Sequence, residues 1–234
     1  MQNKLILCPT ARLVRAIQSD IAKEKLQAGH TQWQSPQVLT LTKWLDLLTE
    51  TYLLSGKIQK QPLHLSAFNE QLLWEEVIQK SLNINAFGTL FNVSGLASAA
   101  IEANQYCIAW HLHIPRDSLA EETRQFVQWQ QAFQKRCEML GVLENVRYID
   151  WQLELIRNNA LETCIHEHSG GIIFAGFDQT APQEARLRDI LKAHGIEISE
   201  YANKLTTPAH AQHISLENID AECRAATALS LIHI

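Results

Sequence analysis

The turn between the first predicted strand and the first predicted helix is where a nucleotide phosphate would bind. Residues 4–10, KLILCPT, form a short apolar strand and turn, and ARLVRAIQSDIAKEKL follows with the apolar spacing of an amphipathic helix. A phosphate loop needs glycines, a Lys for the β and γ oxygens, and a Ser or Thr for Mg²⁺. The turn has Thr10 and Arg12, but it has no glycine and no Lys–Ser/Thr pair, and Pro9 lacks a backbone donor. We predict a structural turn in which Thr10 caps the helix.

A second place for nucleotide chemistry follows the apolar run at residues 172–175. In a P-loop motor, the strand at this position ends in an Asp-Glu pair that binds Mg²⁺ and activates water. Here the chain continues as Gly-Phe-Asp-Gln, so Asp178 is a carboxylate without an acidic neighbour. Thr10, Arg12 and Asp178 are therefore the candidate residues of a degenerate nucleotide site, and we expect no catalytic residue in this chain.

The nearest approach to a metal cluster is the segment CIHEHSGG, with Cys164, His166 and His168. Zinc needs three or four converging ligands, and alternating positions in a loop do not specify such convergence. The five cysteines of the chain are scattered and form no CxxC pair, which favours reduced thiols. We therefore predict neither a metal site nor a cofactor in this chain.

The charge of the chain limits how it could bind DNA. A formal net charge of −5 argues against an extended basic surface, so any contact with phosphates would be local and weak. Arg12, Arg15 and Lys43 are the candidate DNA-binding residues. The composition, 46% hydrophobic and 19% charged, is typical of a folded globular protein. No apolar run approaches the ~20 residues of a membrane span and no signal peptide is apparent, so we expect a cytoplasmic protein.

The predicted elements divide the chain into three parts. Residues 1–44 contain two strands, the first helix and Thr42, the predicted cap of the next helix. Residues 45–165 are almost wholly helical, and the helical setting of the tryptophans favours core packing (Trp44, Trp74, Trp110, Trp129 and Trp151). Residues 166–228 return to strands, at 172–175, in IEISEY and in AQHISL, with a helix that begins near Pro182 and a final helix in NIDAECRAATAL.

Strands at both ends of the chain, separated by helices, predict one parallel sheet that a large helical insertion splits in sequence. The expected fold class is therefore α/β, mostly helical by content. The last six residues, 229–234, read like the translation of a sequencing-adapter end, so we interpret them as an artefact and expect the native chain to continue beyond Ala228.

Six segments carry a resemblance to a known family. CPTARLVRAI, WQSPQVLTLTKWLDLL, FNEQLLWEEVI, ETRQFVQWQQAFQKRCEMLGVLE, IIFAGFDQTAPQEARL and DAECRAA occur in the order seen in bacterial DNA-repair proteins. Over residues 1–228 the chain resembles AddB-type helicase–nuclease subunits of the PD-(D/E)xK nuclease family.

The resemblance implies a P-loop-NTPase-like first motor domain of superfamily 1, degenerate in its nucleotide site, with the next domain starting before residue 228. It also implies DNA as a ligand of the whole protein, an AddA-like helicase as partner, and a nuclease domain that uses Mg²⁺ beyond Ala228. Two alternatives stay open. The chain could be an ATP-dependent motor with a non-standard site, or a non-enzymatic helical adaptor that binds proteins.

Overall fold

The computed structural model describes residues 4–84, 92–114, 120–158, 171–201 and 216–232. In these ranges the strands are β1 (Leu5–Cys8), β2 (Gln37–Thr40), β3 (Leu63–His64), β4 (Val142–Leu143), β5 (Ile172–Phe174) and β6 (Ile198–Glu200). The helices are α1 (Ala11–Gln27), α2 (Leu41–Leu54), α3 (Ala67–Ile84), α4 (Val93–Ala109), α5 (Glu121–Leu140), α6 (Asn145–Asn158), α7 (Pro182–Ala193) and α8 (Ile219–Ile232).

Four parallel strands form the central sheet in the order β2-β1-β5-β6. Leu5 of β1 lies opposite Gln37 of β2 on one side and opposite Ile172 of β5 on the other. Strand β5 also pairs with β6, where Ile172 lies opposite Ile198. The sheet is therefore built from both ends of the described chain, as the strand pattern predicts.

The side chains of β1 alternate between the two faces of the sheet. Leu5 and Leu7 are fully buried in a core that also contains residues of α2, α6 and α7. Ile6 and Cys8 lie on the opposite face, in a smaller core with Ile17 of α1. Because helices cover both faces, an inner strand must be apolar at every position, which explains the continuous run LILC.

Helices α3, α4 and α5 enclose a core of their own. Trp74 and Phe133 are fully buried at its centre, with their ring centroids 4.2 Å apart. The two-residue strands β3 and β4, which pair in parallel, lie just before α3 and just after α5. We call α3, α4 and α5 the three-helix insertion.

The predicted α/β class, with a small parallel sheet in a mostly helical chain, is confirmed. The predicted limit after residue 44 falls inside α2, whose Trp44, Leu45 and Leu48 all pack in the core of the sheet. Leu153 and Ile156 of α6 pack there as well, so α2 and α6 share a core with the strands rather than with the insertion. The limit after residue 165, and residues 211–215 of the predicted strand AQHISL, lie outside the described residues.

Helix α8 belongs to a unit separate from residues 1–201. It begins where NIDAECRAATAL predicts a helix, and the side-chain oxygen of Asn218 accepts a hydrogen bond of 2.9 Å from the backbone N–H of Ala221. None of the helices in the described ranges combines the length and the apolar character that a membrane span requires.

Two buried carboxyl groups lie where the three-helix insertion meets the rest of the chain. Glu70, in the first turn of α3, is 3% exposed, and Glu144, between β4 and α6, is fully buried. Burial, and then the charge of Glu144, raise the pKa of Glu70 to about 7, although the backbone of Asn145 donates a hydrogen bond to its carboxylate. Arg147 pairs with Glu144, with its Nε 3.3 Å from Oε1 of that residue.

This arrangement predicts a pH-dependent stability. The pKa of Glu70 is higher in the folded chain than in the unfolded chain, so protonation of Glu70 stabilises the fold. This stabilisation is complete below about pH 4.5 and is lost as the pH rises through about 7. The substitution Glu70→Gln should remove this contribution, which is roughly 3 kcal/mol in unfolding free energy at most. Urea denaturation at acidic and at mildly basic pH measures it.

The matched control is Glu102→Gln, which neutralises an exposed carboxylate on α4. This variant should keep the pH dependence of the unmodified protein. The same pH dependence in Glu70→Gln and in the unmodified protein would contradict the proposed role of the buried pair.

Candidate functional site

The candidate site lies at the carboxyl edge of the central sheet. Because β1, β2 and β5 are parallel neighbours, the segments that follow them meet at the same edge. Thr10 and Arg12 follow β1, Lys43 follows β2 and Asp178 follows β5. The fold therefore places the sequence-predicted nucleotide and DNA residues at one edge.

Helix α1 begins with the predicted cap. The backbone of Thr10 is extended, with φ −133° and ψ 149°, and its Oγ1 accepts a hydrogen bond of 3.2 Å from the N–H of Leu13. The first turn of α1 contains no acidic residue. The positive end of the helix dipole is thus not offset by a carboxylate of its own first turn.

Helix α2 begins in the same way, but its cap is Thr40 rather than the predicted Thr42. The Oγ1 of Thr40 accepts a hydrogen bond of 3.2 Å from the N–H of Lys43, and helix α2 starts at Leu41. Thr42 already lies inside the first turn, with its Oγ1 3.3 Å from that of Thr40. The sheet thus carries two threonine-capped helix N-termini, on adjacent strands, at one edge.

The space above β1, where a phosphate loop would open, is filled by a close approach of two segments. Gly176, two residues after β5, has a positive φ of 76°, and a Cβ at this position would lie 2.3 Å from Cδ2 of Leu13. It would also lie 3.8 Å from Cδ of Pro9. The two segments that would hold the phosphates and Mg²⁺ in a motor protein pack against each other here.

A small cavity of about 150 Å³ lies at the same edge of the sheet. Its walls are mostly apolar and include Pro9, Leu41, Phe177 and Leu187. Pockets for ligands of drug or cofactor size usually measure about 300–1,000 Å³, so this cavity is too small for a nucleotide.

The polar residues of the cavity are already engaged. Glu184 lines it, and burial raises the pKa of its carboxyl group, which accepts a hydrogen bond of 3.3 Å from the backbone N–H of Ala181. Gln183 donates to the carbonyl of Val146 at 2.9 Å and to Asp150 at 3.0 Å. These hydrogen bonds cap α7 and tie it to α6, and they leave a carboxyl group where a phosphate would need cations.

The rim of the edge has the opposite character. Arg12, Arg15 and Lys43 are exposed, and none of them forms an ion pair within the described residues. In contrast, Arg186 on α7 pairs with Asp150 and Glu154. Three cations and two helix N-termini are thus available to an anion at this rim.

Asp178 lies beyond Gly176 and is exposed. Its neighbours in sequence are Phe177 and Gln179. The segment between β5 and α7, residues 175–181, contains no carboxylate other than that of Asp178.

Two other sequence-based candidates give a mixed result. Cys164, His166 and His168 lie outside the described residues, and within the described ranges no three His, Cys, Asp or Glu side chains are arranged to hold a metal ion. Of the tryptophans, Trp44 and Trp74 are buried in the two large cores, as predicted. The prediction is wrong for Trp110, which is 36% exposed at the end of α4.

Sequence reasoning missed the stack of Arg188 on two aromatic rings beside the site. Its guanidinium lies 4.2 Å from the ring centroid of Phe174 and 5.9 Å from that of Phe177, and it also pairs with Glu200 of β6. This stack fixes the segment that carries Gly176. The aromatic residues on either side of Ala175-Gly176 were the available signal, but α7 supplies the Arg from a distance in sequence.

No protein-family model matches the chain, and no curated protein matches it. The residues of this edge form a closed, mostly apolar floor under an exposed, cationic rim.

The packing of Leu13 on Gly176 can be tested by substitution. Gly176→Ala should lower the unfolding free energy by about 2–3 kcal/mol, because it strains a positive φ and also displaces the methyl group at the end of the flexible Leu13 side chain. Gly195→Ala is the matched control, since Gly195 has φ 77° and open space around its Cβ position. It should cost only about 1–2 kcal/mol. Chemical denaturation measures both.

A second substitution separates crowding from backbone strain. In the Gly176→Ala background, Leu13→Ala should cost less than it does in the unmodified protein, because it removes the crowded methyl group. Equal costs for the two glycine substitutions, together with an additive double variant, would show that Leu13 does not close this edge.

Proposed function

We propose that the chain is the inactivated motor module of an AddB-like DNA-repair protein and serves as a scaffold during DNA end processing in the bacterial cytoplasm. The sheet would then be P-loop-NTPase-like in origin, and the helical insertion would be an elaboration of that fold. The whole protein would carry a PD-(D/E)xK nuclease domain that uses Mg²⁺, and an AddA-like helicase subunit would supply the active motor.

The packing of Leu13 on Gly176 is the observation that carries this proposal. A parallel sheet with a strand-turn-helix at β1 has the layout of a phosphate site, yet its two halves touch each other and its cavity measures about 150 Å³. ATP hydrolysis needs a phosphate cradle and a metal-binding carboxylate in register. Closure of this edge supports a structural role over an ATP-driven one.

A scaffold that binds DNA needs to hold phosphates rather than to read bases. Arg12 and Arg15 are spaced to share one face of α1, and Lys43 follows the neighbouring strand, so three exposed cations line the same edge. Side chains of this kind position a phosphate backbone without reading its sequence. This rim supports a role in guiding a DNA strand that another subunit moves.

The first alternative, an active motor that uses Thr10, Arg12 and Asp178, has no observation in its favour beyond their position at one edge. The second alternative, an adaptor that binds proteins, draws some support from the surface of the three-helix insertion. It is compatible with the scaffold proposal, since a scaffold must hold its partners.

The proposal predicts that the chain does not bind ATP–Mg²⁺ in the micromolar range. The reason is the closed floor and the absence of glycines and Lys from the β1–α1 turn. Isothermal titration calorimetry should detect no micromolar binding, and Thr10→Ala and Asp178→Ala should leave the titration unchanged. Micromolar binding that either substitution abolishes would instead establish the active-motor alternative.

The rim predicts weak, salt-dependent binding of single-stranded DNA. A labelled oligonucleotide should bind at low salt and be largely released at physiological salt, because few phosphates are neutralised. The triple variant Arg12→Glu, Arg15→Glu and Lys43→Glu should lower the slope of log K against log salt by about 2, since each phosphate that is no longer neutralised reduces the slope by about 0.7. Fluorescence anisotropy measures the slope.

The control has the same charge change at the opposite edge of the sheet. Lys4 precedes β1, and Lys25 and Lys192 lie in the last turns of α1 and α7. Reversing these three charges should leave the salt slope near its original value. An equal decrease of the slope in both triple variants would mean that net charge, rather than the rim, governs binding.

A further inference from the structure

A groove of about 560 Å³ runs between α3 and α5 on the surface of the three-helix insertion. Its apolar part consists of Val77 from α3 and of Trp129, Ala132 and Met139 from α5. The three α5 residues are spaced to fall on one helix face. Met139 is 63% exposed and Trp129 is half-buried against the Trp74 core. This surface is wide enough to receive apolar side chains from outside.

The walls of the groove are cationic, although the whole chain has a net charge of −5. Glu76 is the acidic residue in the lining, and its carboxylate already pairs with Lys80 at 2.6 Å and with Arg136 at 3.6 Å. Lys135, also in the lining, is exposed and forms no ion pair in the described part of the chain. The groove therefore presents three cations to one carboxylate.

Two donors of the lining also lack acceptors. The indole Nε1 of Trp129 and the Nε of Arg136 are buried without a hydrogen-bond partner among the described residues. These two nitrogens are too deeply buried for an occupant to reach, so the donors that face it are the ammonium group of Lys135 and the terminal nitrogens of Arg136, which prefer carboxylate oxygens. An occupant that brings both apolar side chains and carboxylates would match the groove in chemistry.

We propose that this groove, the α3–α5 groove, binds an acidic amphipathic helix of a partner protein. Apolar side chains of that helix pack on Trp129 and Met139, and its carboxylates pair with Lys135 and Arg136, as in other helix-in-groove complexes. Single-stranded DNA fits less well, because its backbone brings no apolar side chains to Met139, which is 63% exposed, and the half-buried indole ring of Trp129 leaves little of its face for base stacking.

The test uses a fluorescein-labelled synthetic helix of about 18 residues, or five turns, with Leu at one face and Glu flanking it. A second peptide replaces every Glu by Gln. With the full chain, fluorescence anisotropy should give at least tenfold tighter binding for the Glu peptide than for the Gln peptide. The double variant Lys135→Glu and Met139→Ser should weaken binding of the Glu peptide at least tenfold. Both side chains are exposed, so the fold is kept.

The control variant is Lys25→Glu and Leu26→Ser on α1. It repeats the charge change, and Leu26 is 63% exposed, as Met139 is. This variant should bind the Glu peptide as the unmodified protein does, and both variants should keep the original thermal midpoint and circular dichroism spectrum.

Four results would overturn the proposal. The Glu peptide could fail to bind at a concentration of about 100 μM, a hundredfold above a micromolar Kd. It could also bind both variants with equal affinity. Self-association in sedimentation velocity that only Lys135→Glu and Met139→Ser abolish would assign the groove to a second copy of the chain. Displacement of the labelled peptide by an oligo-dT strand that itself depends on Lys135 for binding would assign the groove to DNA.

Discussion

The pairing of β1 with β2 on one side and with β5 on the other is the interaction on which the rest of the structure depends. It requires a strand that is apolar on both faces, which Leu5, Ile6, Leu7 and Cys8 provide. Once these pairs form in parallel, the segments after all three strands must reach the same edge. The positions of the capping threonines, of the rim cations and of Asp178 follow from this one register rather than from interactions among those side chains.

At that edge, packing and chemistry make opposite demands. A phosphate cradle needs free backbone N–H groups and open space, whereas here the N–H of Leu13 is satisfied by Thr10 and its side chain fills the space over Gly176. Exposed cations carry no such conflict, because Arg12 and Lys43 stay in water whether or not an anion is bound. The edge can therefore lose nucleotide chemistry and still keep a rim that attracts phosphates.

Local patterns in the sequence predicted most of the elements, because helix and strand periods depend on near neighbours. The sequence pattern predicts the wrong cap for α2, because Thr40 and Thr42 both lie next to the apolar residues of this helix. The hydrogen bond from the N–H of Lys43 to Thr40 identifies Thr40 as the cap. The amphipathic pattern of α2 revealed an apolar face but not which core would receive it. Long-range packing was beyond such patterns: neither the buried state of Glu70 nor the approach of Gly176 to Leu13 can be read from adjacent residues.

The short pairing of β3 with β4 sets an order of assembly. Leu63 pairs with Val142, so the three-helix insertion begins and ends at adjacent points and has its own core around Trp74. During synthesis from the N-terminus, β1 and β2 emerge long before β5, while the insertion can fold as soon as α5 and β4 are complete. The side of β1 that later pairs with β5 therefore stays unpaired until β5 has been synthesised. A ribosome-bound chain would need a chaperone to keep this apolar strand from pairing elsewhere.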